Sequence, residues 1–252
     1  MAGAAVRRSR HRRRRKQFNW KRFSLLFLAV LIVLGGAAML AYPQFSQWYN
    51  AKDQSGVVTD YAEHIGVLDD VDKAEQLRRA RDYNRTLTDV VASTDPFANE
   101  GTVDTTDYNT LLWATSDGVM GYVEIPSINV RLPIYHGVGN DVLMKGVGHL
   151  PETSLPVGGE STHSVLAGHS GMTHAKLFTD LPKVAIGDTF YICVYDEKLT
   201  YTVDQIKPVL PTDTRDLNIV PGMDYVTLIT CVPIGVNSHR LLVRGVRTEE
   251  SP

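Results

Sequence analysis

The sequence predicts a mainly β domain, a sandwich or a closed barrel, set behind helical segments and one membrane-spanning helix. Three observations carry this. From residue 121 onward the chain breaks into seven or so short runs rich in β-branched and aromatic residues, separated by Gly/Pro turns. That spacing suits a sandwich or barrel, and closure would remove exposed strand edges. Residues 23–42 form 20 positions without a charge, enough for one helix across a bilayer. Between the two, Ala74, Leu77, Leu87 and Val91 recur at approximate helical spacing among charges.

Taken in order, the chain begins with a basic tail, residues 1–22, holding ten Lys/Arg and no acid. The formal charge of −2 hides this asymmetry, since 16 basic and 28 acidic residues follow the tail. As an isolated peptide the Arg-rich 7–15 stretch would suggest nucleic acid. The apolar run behind it decides against that partner, because basic residues just before such a helix hold that end in the cytoplasm. Trp20 and Tyr42 would sit at the two interfaces. A cleaved signal peptide is the rival reading, but the run exceeds a typical h-region and shows no convincing small-x-small cleavage site. The body after residue 43 is then expected outside the membrane. Residues 43–92 read as a helical stalk, with Asp69 or Asp70 capping the helix that follows. Residues 93–118 are a linker containing Asp95-Pro96-Phe97, by itself only a turn signal. Residues 119–248 hold the strands, and 249–252 are a short tail.

The expected strands are 121–125, 130–135, 163–169, a hairpin of 187–195 and 199–210, then 223–231 and 240–247, with a helical turn beginning at 175–178. No internal repeat is visible. The strand Tyr225 to Cys231 ends on a thiol, and the return strand opens on Arg240, nine positions later. If these strands pair, the guanidinium lies near the sulfur, where a cation favours thiolate and can bind a developing oxyanion. Cys193 sits inside an apolar strand and reads as a buried free thiol. A Cys193–Cys231 bridge is the structural alternative, since disulfides are permitted in an exported body.

Eight histidines could supply a base. His11 lies in the tail and His64 in the stalk. His136, His149, His163 and His239 read as turn or surface residues. His169 ends an apolar strand between Gly168 and Gly171, with His174 as its local competitor. No metal is expected, because no Cys/His pair has ligand spacing with partners.

The run TLITCVPIGVNSHRLLVRG closely resembles the TLxTC…R signature of sortases, in particular class C, the pilin-polymerising class. GYVEIPSINVRLPIYHG, GVGHLPETSLPVGGESTHSVLAGHSG and AKLFTDLPKVAIGDTFYI match as well, so the resemblance covers 121–247 and reaches back to Asp95-Pro96-Phe97. It implies a sortase-type closed β-barrel of about eight strands, with N-terminal helices. By the same resemblance Cys231 is the nucleophile, His169 the family histidine and Arg240 the essential arginine; Thr230, next to the thiol in sequence, is a supporting candidate through its hydroxyl or backbone N–H. Asp95 and Phe97 match the class C lid, in which the aspartate contacts the arginine and the aromatic ring covers the cysteine.

The implied chemistry is attack of Cys231 on the Thr–Gly carbonyl of an LPXTG-like sorting signal, then transfer of the acyl group to a pilin lysine, without a cofactor. The implied partners are pilin subunits bearing such signals and the membrane, with the catalytic body on the extracellular face. Two departures stand out. Ser170 follows His169 where the family often has Arg, and no second apolar helix follows residue 247, which leaves either a truncated chain or a single anchor. The competing readings are a housekeeping sortase that attaches proteins to a cell-wall precursor, and an inactive membrane-anchored binding module in which Cys231 is structural.

Overall fold

The computed structural model describes residues 20–87, 95–97, 107–115 and 117–248. The basic tail before Trp20, residues 88–94 (with Val91 of the expected helical stripe), residues 98–106 and 116 of the linker, and the C-terminal 249–252 therefore lie outside the described residues. The chain divides into two compact units, Met1–Pro43 and Gln44–Pro252.

Helix α1 runs Trp20–Val67 and contains an exposed apolar stretch of mean hydropathy 2.6, long and apolar enough to cross a membrane. Beyond residue 43 its inner face is Gln54, Val58, Tyr61 and Ile65, all buried, at spacings of one helical stripe. The Tyr61 hydroxyl ties this stripe to the sheet, accepting from Tyr195 N at 2.8 Å and donating to Met120 O at 3.2 Å.

Helix α2, Asp70–Thr86, is capped by Asp69, whose carboxylate accepts from Val71 N at 2.8 Å. Its inner face differs from the expected apolar stripe. Ala74 is exposed, whereas Lys73, Leu77, Ala80 and Asn84 are buried. The two polar members are admitted because each is satisfied. Lys73 pairs with Asp70 and Asp196, and the Asn84 amide donates to Leu155 O at 3.0 Å and accepts from Leu155 N at 2.7 Å.

Eight strands follow: β1 Val119–Ile125, β2 Val130–His136, β3 Val147–His149, β4 Thr162–Ala167, β5 Thr189–Val194, β6 Glu197–Val209, β7 Asp224–Val232 and β8 His239–Arg247. They close into a barrel in the order β1-β2-β3-β4-β7-β8-β6-β5. Closure is made by β1 on β5, with Tyr122 facing Cys193. Two neighbours are parallel, β2 with β3 and β4 with β7; the short helix α3, Asn140–Leu143, lies in the first of these crossovers. The remaining pairs are antiparallel, as hairpins allow. Leu132, Ile134, Leu166, Phe190, Tyr201, Leu228 and Val243 belong to the main core, and the Phe190 and Tyr201 rings stack at 5.6 Å. A second apolar cluster, containing Val165, Ala167, Ile229 and Leu242, covers one face of β4, β7 and β8.

Two histidines expected in turns or at the surface are instead buried, His149 in β3 and His163 in β4. Each ring is satisfied in its neutral form. His149 Nε2 lies 2.8 Å from Ser154 O, and His163 Nδ1 lies 2.8 Å from Asn218 O. A carbonyl only accepts, so these nitrogens carry the proton, and the opposite ring nitrogens accept from Tyr108 and Thr227 hydroxyls. Burial pushes His149 down to about 3 and His163 to about 4. The unfolded chain protonates these rings near the ordinary value of about 6.5, so on acidification the unfolded state binds protons first. Stability is therefore full above about pH 6.5 and is lost as pH falls below it, on the order of 2 kcal/mol per ring by about pH 5. The denaturation midpoint should drop between about pH 7 and about pH 5, and drop less in His163→Gln.

Candidate active site

The site is built at one end of β4, β7 and β8 by continuing three rows of side chains. Side chains of a strand alternate faces, so Cys231 follows Ile229, and Arg240 precedes Leu242, on the face of the second apolar cluster. Cys231 and Arg240 are direct cross-strand partners, as expected if the two strands pair. Ala167 faces Ile229 across the parallel β4–β7 pair, and two further residues bring His169 level with Cys231. His169 thus lies just past its strand, not within it.

Three hydrogen bonds hold the His169 loop to β7. Gly168 N donates to Ile229 O at 3.0 Å, the buried Thr230 hydroxyl donates to Gly168 O at 2.7 Å, and Ser170 Oγ donates to Cys231 O at 2.6 Å. Gly168 has no substitute here, because a Cβ would stand 2.6 Å from the Phe178 ring. Ser170 was noticed in the sequence only as a departure from a family pattern. Its position beside His169 was the available signal, but its partner, a backbone carbonyl 61 residues away, was not readable.

Asp95 and Phe97 complete the arrangement. The Arg240 fork is bidentate on Asp95, with Nε to Oδ1 at 2.9 Å and Nη2 to Oδ2 at 2.6 Å, while Nη1 donates to Asn237 O at 3.0 Å. Both side chains are about nine-tenths buried, at 10% and 12% exposure, so this is a desolvated ion pair. The Phe97 ring centroid lies 5.6 Å from that of His169 and 5.1 Å from Arg240 Cζ, and the ring packs on the second cluster. The ring's described contacts thus include the histidine and arginine that flank the cysteine.

The electrostatics favour neutral groups in this closed arrangement. Burial pushes the Cys231 thiol up; Arg240 opposes that and Asp95 adds to it. Burial lowers His169, and repulsion from His174 lowers it further. Among the described residues His174 is tied through its carbonyl, which accepts from Asn50 Nδ2 at 2.7 Å.

The two cysteines are free. Cys193 on β5 is separated from β7 by β6 and β8, about 14 Å along the barrel wall and beyond disulfide reach. A cavity of about 690 Å³ lies at the opposite end of β4, lined by Arg81, Asn84, Gly159, Thr162 and Pro221. It contains no thiol or imidazole and is not part of this chemistry. Among the described residues no three His, Cys, Asp or Glu side chains converge to hold a metal ion.

The Sortase domain family model matches residues 123–248. Sortase C-1 of Streptococcus pneumoniae is 43% identical with a TM-score of 0.71, the alignment covering 78% of this chain and 100% of that one. Sortase C-1 of Actinomyces oris is 46% identical with a TM-score of 0.66, covering 70% and 98%. The alignment with sortase A of Streptococcus agalactiae has 31% identity over 116 residues, 45% of this chain and 47% of that protein. The chain spans about half the length of the first curated relatives it matches, 47% and 59%. With a family match across half of its residues and near-complete coverage of class C structures, the chain belongs to the sortase family, class C.

Proposed function

We propose that the protein is a membrane-anchored transpeptidase that cleaves an LPXTG-like sorting signal between Thr and Gly and transfers the acyl group to a pilin lysine. The observation that carries this reading is the row formed by His169 just past β4, Cys231 on β7 and Arg240 on β8, closed by the Asp95–Arg240 ion pair. Cys231 Sγ attacks the Thr carbonyl carbon, and the tetrahedral oxyanion is met by Arg240 donors. Collapse expels the glycine amine, which takes its proton from His169, leaving a thioester on Cys231. A neutral lysine Nζ then attacks the thioester and passes one proton to His169, and Cys231 leaves as the thiolate beside the imidazolium. In the closed form the thiol and imidazole are held neutral, so the reactive pair forms once Asp95 leaves and Arg240 acts on the sulfur alone.

The pilin reading rests on the lid pair and on likeness to class C enzymes, one of which, from Streptococcus pneumoniae, is described for its pilin substrate specificity. The buried Asp95–Arg240 bridge favours it over cell-wall attachment. The apolar stretch of α1 would supply the anchor, with the barrel on the outer face.

Incubation of the protein with an LPXTG-type peptide, read by intact mass, tests the chemistry. The expected result is a thioacyl adduct that is absent in Cys231→Ala and increased in the Asp95→Ala/Phe97→Ala double variant. No adduct from either Cys231-containing form would overturn the transpeptidase reading, and failure of added pilin to resolve an adduct would overturn the pilin assignment.

A further inference from the structure

Past residue 43, α1 lies on the barrel along one stripe, with Asn50 half-buried and Gln54, Val58, Tyr61 and Ile65 buried. Phe45, Trp48 and Tyr49 fall outside that stripe and are 63%, 60% and 60% exposed. The Phe45 and Trp48 rings are 6.0 Å apart, and Lys52 Nζ lies 6.0 Å from the Trp48 ring. Scattered apolar residues are ordinary on a protein surface, but three large exposed rings at positions i, i+3 and i+4 share one helix face, which signals a contact. Directly before them in sequence stands the uncharged run 23–42. Tyr and Trp combine an apolar body with a polar edge, and Lys keeps its ammonium wet above a buried stem; both suit the boundary between headgroups and acyl chains.

We propose that Phe45, Trp48 and Tyr49 are a lipid-surface contact, seated at the headgroup boundary of a phospholipid bilayer with Lys52 facing the phosphates. This inference rests on the reading of residues 23–42 as a membrane anchor. Its consequence for the enzyme comes from the next residue. Asn50 Nδ2 donates at 2.7 Å to the carbonyl of His174, in the loop between His169 and Phe178. The helical turn that meets lipid is therefore bonded to the loop that carries the site histidine.

The test uses the full chain in phosphatidylcholine/phosphatidylglycerol vesicles, with Trp20→Phe and Trp113→Phe leaving Trp48 as the reporter. Native-like alkylation of Cys231 checks the fold, and the difference spectrum between the native chain and Trp48→Phe gives the same readout if the double replacement fails to fold. The expected result is blue-shifted Trp48 emission, quenched several-fold more by lipids brominated near the glycerol end of the chain than by lipids brominated at the chain terminus. Co-flotation with vesicles, but Trp48 quenched by aqueous iodide and untouched by brominated lipid, would overturn this inference and leave the anchor standing. Protein that does not float with the vesicles would overturn the anchor reading, and the lipid contact with it.

Discussion

Asp95→Asn is expected to speed alkylation of Cys231 by a small thiol reagent on the order of 10–100-fold. The figure follows from what holds the segment down. Asp95 accepts two hydrogen bonds from Arg240, both charge-assisted and buried, and its Oδ1 also lies 3.3 Å from Phe97 N. Converting the carboxylate to an amide removes the charge and turns one acceptor into a donor facing a guanidinium. A bond to a charged group is worth ~1.5–3 kcal/mol, and each 1.4 kcal/mol is tenfold in the open fraction. The change should also appear in the pH profile. Burial is the first cause of the raised Cys231 thiol, and Asp95 adds to it while Arg240 opposes. Removing Asp95 and uncovering the thiol both favour thiolate, so the alkylation midpoint moves to lower pH. A faster rate with an unmoved midpoint would mean that Asp95 acts only by covering the sulfur. An unchanged rate and an unchanged midpoint would remove any gating role from the segment.

The parts of this arrangement that sequence could show are those made of local pairs. Cys231 and Arg240 lie on consecutive strands joined by a short loop, so one hairpin register decides their contact, and the spacing was enough to expect it. His169 was legible as the end of an apolar run. The Asp95–Arg240 bridge spans 145 residues, and nothing in either segment points to the other except a family resemblance. Closure was equally hidden. Seven short strands fit a sandwich as well as a barrel, and the choice is made by β1 pairing with β5, some 70 residues later. Strand β3 went unseen because it has only three residues, too few for alternation to register. His149 and His163 were misplaced because polarity alone argues for the surface. Their carbonyl and hydroxyl partners, which make burial tolerable, come from segments distant in sequence or hidden in turns.

The second large effect separates two jobs proposed for Arg240, a cation beside the thiol and a fork for the oxyanion. In the closed form each nitrogen of the fork is engaged, Nε and Nη2 by Asp95 and Nη1 by the Asn237 carbonyl. When Asp95 leaves, Nε and Nη2 are the donors set free, on the residue directly across from Cys231. A lysine there would keep a positive charge near the sulfur but could not present two parallel donors. Both variants are best made in the Asp95→Asn background, so that loosening of the segment contributes equally to each. Arg240→Lys should then leave Cys231 alkylation within a few-fold, because the cation persists, while thioester formation with a sorting peptide falls ~10²–10³-fold, as for loss of an oxyanion donor. Arg240→Ala should slow both, since neither charge nor fork remains. Thioester formation preserved in Arg240→Lys would assign Arg240 to thiol tuning alone, and the oxyanion would need donors elsewhere on the loops around Cys231. A loss of alkylation as deep as the loss of thioester formation would place the whole effect on the thiol. Only the split between the two rates requires the fork, because a small alkylating reagent develops no oxyanion.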